Sequence, residues 1–167
     1  GYLTCNSERI GQNMPTPMTL CNLKGRVIGN GWALGDDERV LLVVHHTVAE
    51  ALAAFLAPYA MFSKCKVITH NAPVAVVAGE RNSAAFTNHW CFANDLLSTP
   101  QADGHDQSSA IAQDLVANRF AWVSDRVAGK FLPQVLGLHE AGAVDFDKGC
   151  YLGQEIIARA QFRGAVK

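Results

Sequence analysis

Asp147-Lys148-Gly149-Cys150-Tyr151-Leu152-Gly153-Gln154-Glu155 runs directly into Ile156-Ile157-Ala158-Arg159-Ala160-Gln161-Phe162-Arg163-Gly164. Glycines on both sides of a cysteine and an aromatic residue give a loop with wide backbone freedom. The Gln154-Glu155 pair and the mixed apolar and basic residues after it read as the start of a helix. A thiol therefore stands just ahead of a helix. A helix N-terminus and a neighbouring cation such as Lys148 favour thiolate, the form that acts as nucleophile or metal ligand. Asp145, Asp147 and Glu155 act in the opposite sense. The competing reading of Cys150 is that of most free cysteines, a small buried hydrophobe.

Outward from this stretch, the apolar pattern sets the elements. Residues 18–22 and 26–34 alternate apolar and small side chains around Leu23-Lys24-Gly25, a hairpin pattern in which Gly25 supplies the turn. A turn at Gly35-Asp36-Asp37-Glu38 precedes a further strand over 39–46, which predicts three successive antiparallel strands. Thr47-Val48-Ala49-Glu50 fits a capping box. Val48, Ala51, Leu52, Phe55 and Leu56 then recur at helical spacing up to Pro58, predicting an amphipathic helix across one face of the sheet. Residues 64–70 and 73–78 read as short strands joined at Asn71-Ala72, with another near 84–92. The polar stretch 98–109 reads as a loop. Ser108 or Ser109 would cap a second helix carrying Ile111, Leu115 and Phe120 or Trp122. Two strand groups, each closed by a helix, make an α+β class with an internal pseudo-repeat.

The 167 residues suffice for one domain, residues 1–167, or for two small lobes. A formal net charge of -1 gives no general attraction to nucleic acid, which makes direct RNA contact doubtful. Five widely spaced cysteines without a Cys-x-x-Cys pair indicate neither a disulfide framework nor a zinc ribbon. A reducing, cytoplasmic setting fits that usage, and no apolar run of membrane-spanning length appears. His45 and His46, on a strand, would point to opposite faces, and no other imidazoles show ligand spacing, so no metal site is expected.

Four landmarks in order point to a family. Leu23-Lys24-Gly25-Arg26, Met61-Phe62-Ser63-Lys64, Phe131-Leu132-Pro133-Gln134 and the Lys148-Gly149-Cys150-Tyr151-x-Gly153-Gln154-Glu155 signature together resemble the YgfZ-type folate-binding proteins, relatives of the glycine-cleavage T-protein, an aminomethyltransferase. The resemblance covers nearly the whole chain and is weak between residues 71 and 106. It implies an α+β, T-protein-like folate-binding domain of antiparallel sheets covered by helices. Both ends look cut against the family pattern, so an N-terminal strand region and a C-terminal small β-barrel are expected to be absent from a fragment.

The resemblance also implies function. Tetrahydrofolate or a derivative is the expected cofactor, and iron–sulfur enzymes or their assembly factors the expected partners. The expected role is a folate-dependent accessory factor for iron–sulfur cluster assembly or repair, including the clusters of enzymes that thiolate tRNA. Such a factor need not be a classical enzyme. Cys150 is the expected working thiol, tuned by Lys148, with Gly149, Gly153, Gln154 and Glu155 structuring its loop. Tyr151, Trp122, Phe62, Asn30 and Arg159 are the candidates for folate binding, since a pterin needs apolar walls and a few fixed polar groups. Arg159 and Arg163 share a helix face that suits an anionic tail, an RNA phosphate or simply solvent.

Several residues depart from the family pattern. Gly29 and Asn30 stand where the T-protein has a carboxylate, which disfavours aminomethyl transfer. Ile111 falls where the family places a pocket tryptophan, and residues 117–121 replace its Glu-Ala-Gly-x-Pro run. Two alternatives therefore remain open, a folate-dependent one-carbon or aminomethyl transferase and a non-catalytic docking module with a vestigial pocket.

Overall fold

The computed structural model describes residues 1–11, 15–35, 38–69, 76–78, 90–92, 113 and 120–164. Its centre is an open three-stranded antiparallel sheet of β1 (Thr16–Cys21), β2 (Val27–Gly35) and β3 (Val40–Val44), in the order β1-β2-β3. The hairpin register runs from Thr16 opposite Ala33 to Leu20 opposite Gly29, then shifts at a bulge so that Cys21 meets Val27. The extra residue in β2 turns the hairpin end away from the regular ladder. The three strands expected from the sequence are thus present.

Both faces of this sheet are covered, which explains why every residue of β1 is buried. Helix α1 (His46–Phe62) lies on one face, where Val48 and Leu52 join Met18, Leu20, Ala33 and Cys5. Gly29 on β2 makes room for it, since a Cβ there would stand 2.5 Å from Leu52 Cδ1. On the other face Trp32, Leu34 and Val43 meet Phe120, Val123, Leu138, Val144, Tyr151 and Ile157. This second layer is built from irregular chain and turns between residues 120 and 146, closed by helix α2 (Gln154–Arg163).

Several local expectations need correction. The cap of α1 is His45, whose Nδ1 accepts from Thr47 N, and Thr47 lies inside the helix. The helix also continues through Pro58 to Phe62. Proline removes the bond to the carbonyl of Ala54, but that turn is exposed and water can take its place. Residues 65–69 form no strand. Phe120 and Trp122 lie in irregular chain rather than on a helix, because their rings pack on Trp32 and the local backbone pairs with Asn30. His45 and His46 sit at the strand-to-helix junction with rings stacked 4.6 Å apart, not on opposite faces of a strand.

In the second half the described residues carry one antiparallel pair, β4 (Val76–Ala78) with β5 (Trp90–Phe92), so the expected pseudo-repeat is not confirmed. The predicted loop over 98–109, the helix start at Ser108 or Ser109, and Ile111 lie outside the described residues. No described helix is long and apolar enough to cross a membrane.

Candidate functional site

The hairpin tip is shaped by Asn22, whose Oδ1 accepts from both Lys24 N (2.9 Å) and Arg26 N (3.1 Å). Its backbone closes the same turn, with Gly25 N donating to Asn22 O and Asn22 N to Arg26 O. An asparagine folding back on the next residues is an Asx turn, and Asn22 before Lys24-Gly25 is the readable signal that the motif-based reading passed over. Gly25 takes φ +67°, and a Cβ on it would stand 3.1 Å from Ile157 Cγ1. The tip is thereby pressed onto the start of α2.

The thiol loop meets the same tip. Gly153 caps α2 in the left-handed conformation at φ +79°, and a Cβ there would lie 2.6 Å from Asn22 O and 2.8 Å from Gly25 Cα. The two glycines touch because neither has a side chain. Gln154 closes the loop on itself, donating from its backbone N to Tyr151 O while its Oε1 accepts from Tyr151 N at 3.4 Å. Glu155 instead pairs along the helix with Arg159 at 2.8 Å. Gly149 has no positive φ, and a Cβ added to it would meet nothing within 4 Å.

A third segment completes the junction. Val27 N donates to Phe131 O, Gly129 N to Val27 O, and Arg26 Nη1 to Lys130 O. Gln134 Nε2 donates to Ile157 O at 2.9 Å. Three of the four sequence landmarks, the hairpin at 23–26 and the segments 131–134 and 148–155 more than a hundred residues later, therefore converge on one edge of the domain. The fourth, Met61-Phe62-Ser63-Lys64, ends α1, where Phe62 is 85% exposed.

Cys150 is exposed, so the buried-hydrophobe reading does not apply to it. Its position is four residues before α2 begins, beyond the first turn where the helix dipole acts strongly. Lys148 does not stand free beside it. The Lys148 ammonium donates to Leu3 O (2.8 Å) and Cys5 O (2.6 Å) and lies 5.6 Å above the Tyr151 ring. It ties the thiol loop to the N-terminal segment, which also bonds the loop directly through Gly1 N to Cys150 O and Leu152 N to Gly1 O. Thr4 anchors that segment: its hydroxyl accepts from Thr19 N and donates to Ala143 O, and its N–H donates to Thr19 O.

Other thiols have different chemistry. Burial pushes the Cys5 thiol up, partly offset by the Lys148 cation. Cys21 is pushed up to about 12 by burial alone. Tyr151 is likewise pushed up to about 12, first by burial and then by Cys21 and Asp145, and its ring is buried in the core.

The folate candidates do not gather at one point. Asn30 is wholly buried, and its amide clamps the backbone of residues 121–123 to β2, donating to Ala121 O at 2.9 Å and accepting from Val123 N at 2.8 Å. Trp122 is half-buried beside it in an aromatic group, 5.0 Å from Trp32 and 5.2 Å from Phe120. Gly31, at φ +153°, leaves space for this indole, since a Cβ would come within 2.9 Å of Trp122 Cζ3. Tyr151 belongs to the thiol loop, Arg159 to the outer face of α2, and Phe62 to the end of α1. Among the described residues no three His, Cys, Asp or Glu side chains come together as a metal site.

An α+β domain with an exposed cysteine loop seated on a glycine hairpin is the class that fold and site define. The chain is similar over its whole length to curated proteins named tRNA-modifying protein YgfZ. The protein of that name from Cronobacter sakazakii is 26% identical over an alignment of 205 positions, which takes in 100% of this chain and 62% of that protein. Those from Escherichia coli and Shigella boydii are 25% identical with the same coverage. The chain thus spans 62% of the length of these curated relatives. No protein-family model matches it.

Proposed function

We propose that this domain belongs to an accessory factor related to tRNA modification, which supports iron–sulfur cluster assembly or repair in the enzymes that thiolate tRNA. The observation that carries the reading is the convergence of three motif segments around an exposed Cys150, in a chain whose relatives are named for tRNA modification. In this role Cys150, on losing its proton, is a transient ligand for cluster iron passing between proteins, since clusters are held by thiolates. Lys148 holds the loop against residues 3–5, and Gly153 and Gln154 set its shape. Tetrahydrofolate or a derivative is the proposed cofactor. Support for this reading comes from the half-buried Trp122 beside Trp32, an aromatic group of the kind a flat pterin ring stacks on, with the Asn30 clamp behind. Bound there, the cofactor would supply a reduced pterin able to carry a one-carbon unit.

A docking role gains support from the exposed apolar side chains of Leu23, Phe131, Val135 and Ile156 on the segments that meet the thiol loop. Aminomethyl transfer gains none from Asn30, a neutral amide occupied by backbone. Calorimetry with tetrahydrofolate on the full-length protein tests the cofactor. Wild type and Cys150→Ala should bind alike and Trp122→Ala about tenfold more weakly. Absence of binding by wild type would remove the folate part of the proposal. The thiol part is tested by the activity of an iron–sulfur enzyme in cells lacking their own copy, where Cys150→Ala should fail to restore what wild type restores.

A further inference from the structure

The convergence of the three segments leaves an apolar surface beside the thiol loop. Leu23 at the hairpin tip is 77% exposed, and Phe131, Val135 and Ile156 are also exposed. Their segments are in contact, as the Gly25 approach to Ile156, the Val27 bond to Phe131 and the Gln134 bond to Ile157 establish. The same segments are cationic. Lys24, Arg26, Lys130 and Arg159 outnumber the carboxylates of the same segments, Asp147 and Glu155, and Arg159 already pairs Glu155. On a chain with a formal net charge of -1 this is a local excess of positive charge on the segments that expose these apolar side chains.

We infer that this face docks a partner protein through an acidic segment with apolar anchors. Exposed apolar side chains with lysine and arginine on the same segments match the composition of a transient protein interface, in which apolar anchors give affinity and charge complementarity gives rate and orientation. RNA fits less well. Single-stranded bases stack on aromatic rings, and Phe131 is the one aromatic side chain of the four apolar groups. The inference rests on the proposed working role of Cys150 in one respect, that a partner held here is held next to that thiol.

The experiment uses full-length, isotope-labelled protein and three probes of equal length: a peptide alternating leucine and glutamate, the same peptide with lysine for glutamate, and a polyuridine oligonucleotide. Amide shifts on the acidic peptide should map to Leu23, Phe131, Val135 and Ile156. The exposed pair Lys24→Glu/Lys130→Glu should weaken it about tenfold or more, and Cys150→Ala should leave it unchanged. Shifts elsewhere, indifference to charge reversal, or equal binding of the lysine peptide would overturn the inference. Binding of polyuridine to this face in place of the acidic peptide would reassign it to nucleic acid. Failure of Cys150→Ala in cells alongside intact peptide binding separates the thiol's role from the docking face. Loss of peptide binding alone would sink only the latter.

Discussion

Gly149 and Gly153 flank the same thiol yet answer to different constraints. Gly153 holds a positive φ and touches Asn22 and Gly25, whereas Gly149 does neither. Gly153→Ala should therefore cost about 2–4 kcal/mol, combining left-handed strain with a backbone clash, while Gly149→Ala should fall within about 1 kcal/mol of wild type. Urea denaturation of the two variants checks the contrast, and equal losses would refute it. Asn30 is a second residue whose place decides its effect. Its removal as Asn30→Ala strands the Val123 N–H and the Ala121 carbonyl, with an expected loss of about 2–4 kcal/mol by the same measurement. At this scale the sequence showed the cysteine and its glycines. It could not show that Lys148 is tied to residues 3–5, because that bond spans more than 140 positions.

Helix α1 is the element on which sequence and structure can best be compared. Its apolar stripe was legible in part: of the five residues periodicity named, Val48 and Leu52 are buried, Phe55 and Leu56 are half-buried, and Ala51 is exposed. Leu52→Ala should cost about 2–5 kcal/mol, since it opens a cavity against Gly29 and Met18. Its ends were not legible. The capping box pointed to Thr47, but the hydroxyl of Thr47 receives Asp125 N and the ring of His45 takes the cap. Tertiary contacts made that choice, and Pro58 could stay because its turn faces water.

The His45 cap also makes α1 sensitive to pH. Burial holds the His45 imidazole below its ordinary value of 6.5, His46 adds to this, and Asp125 opposes it. The folded protein thus binds this proton less readily than the unfolded chain. Stability from the group is complete above 6.5 and falls as the pH drops through the lowered folded value. A protonated Nδ1 can no longer accept from Thr47 N. Urea midpoints taken on either side of this window should fall on the acid side, and His45→Asn, which keeps an acceptor at the cap, should reduce the fall. An unchanged fall in that variant would exclude His45 as its source.

Across the whole molecule, the two-sided burial of one small sheet places the hairpin tip, the 129–135 turn and the start of α2 on a common edge. The sequence displayed these segments as separate landmarks in order. Their meeting is a property of the fold, produced by the bulge in β2, the Asx turn at Asn22 and two glycines in contact. The folate candidates lacked such a meeting point. Trp122 and Asn30 share one, while Phe62 and Arg159 lie on other surfaces, because residue type marks a suitable side chain without marking its position. The central claim, that Cys150 on this edge serves the iron–sulfur enzymes of tRNA thiolation, is tested most directly by mass spectrometry of thiolated tRNA nucleosides. Cells lacking their own copy would receive full-length wild type or Cys150→Ala at equal protein levels. The account predicts thiolation restored by wild type and left at the uncomplemented level by Cys150→Ala. Equal restoration by both would contradict it.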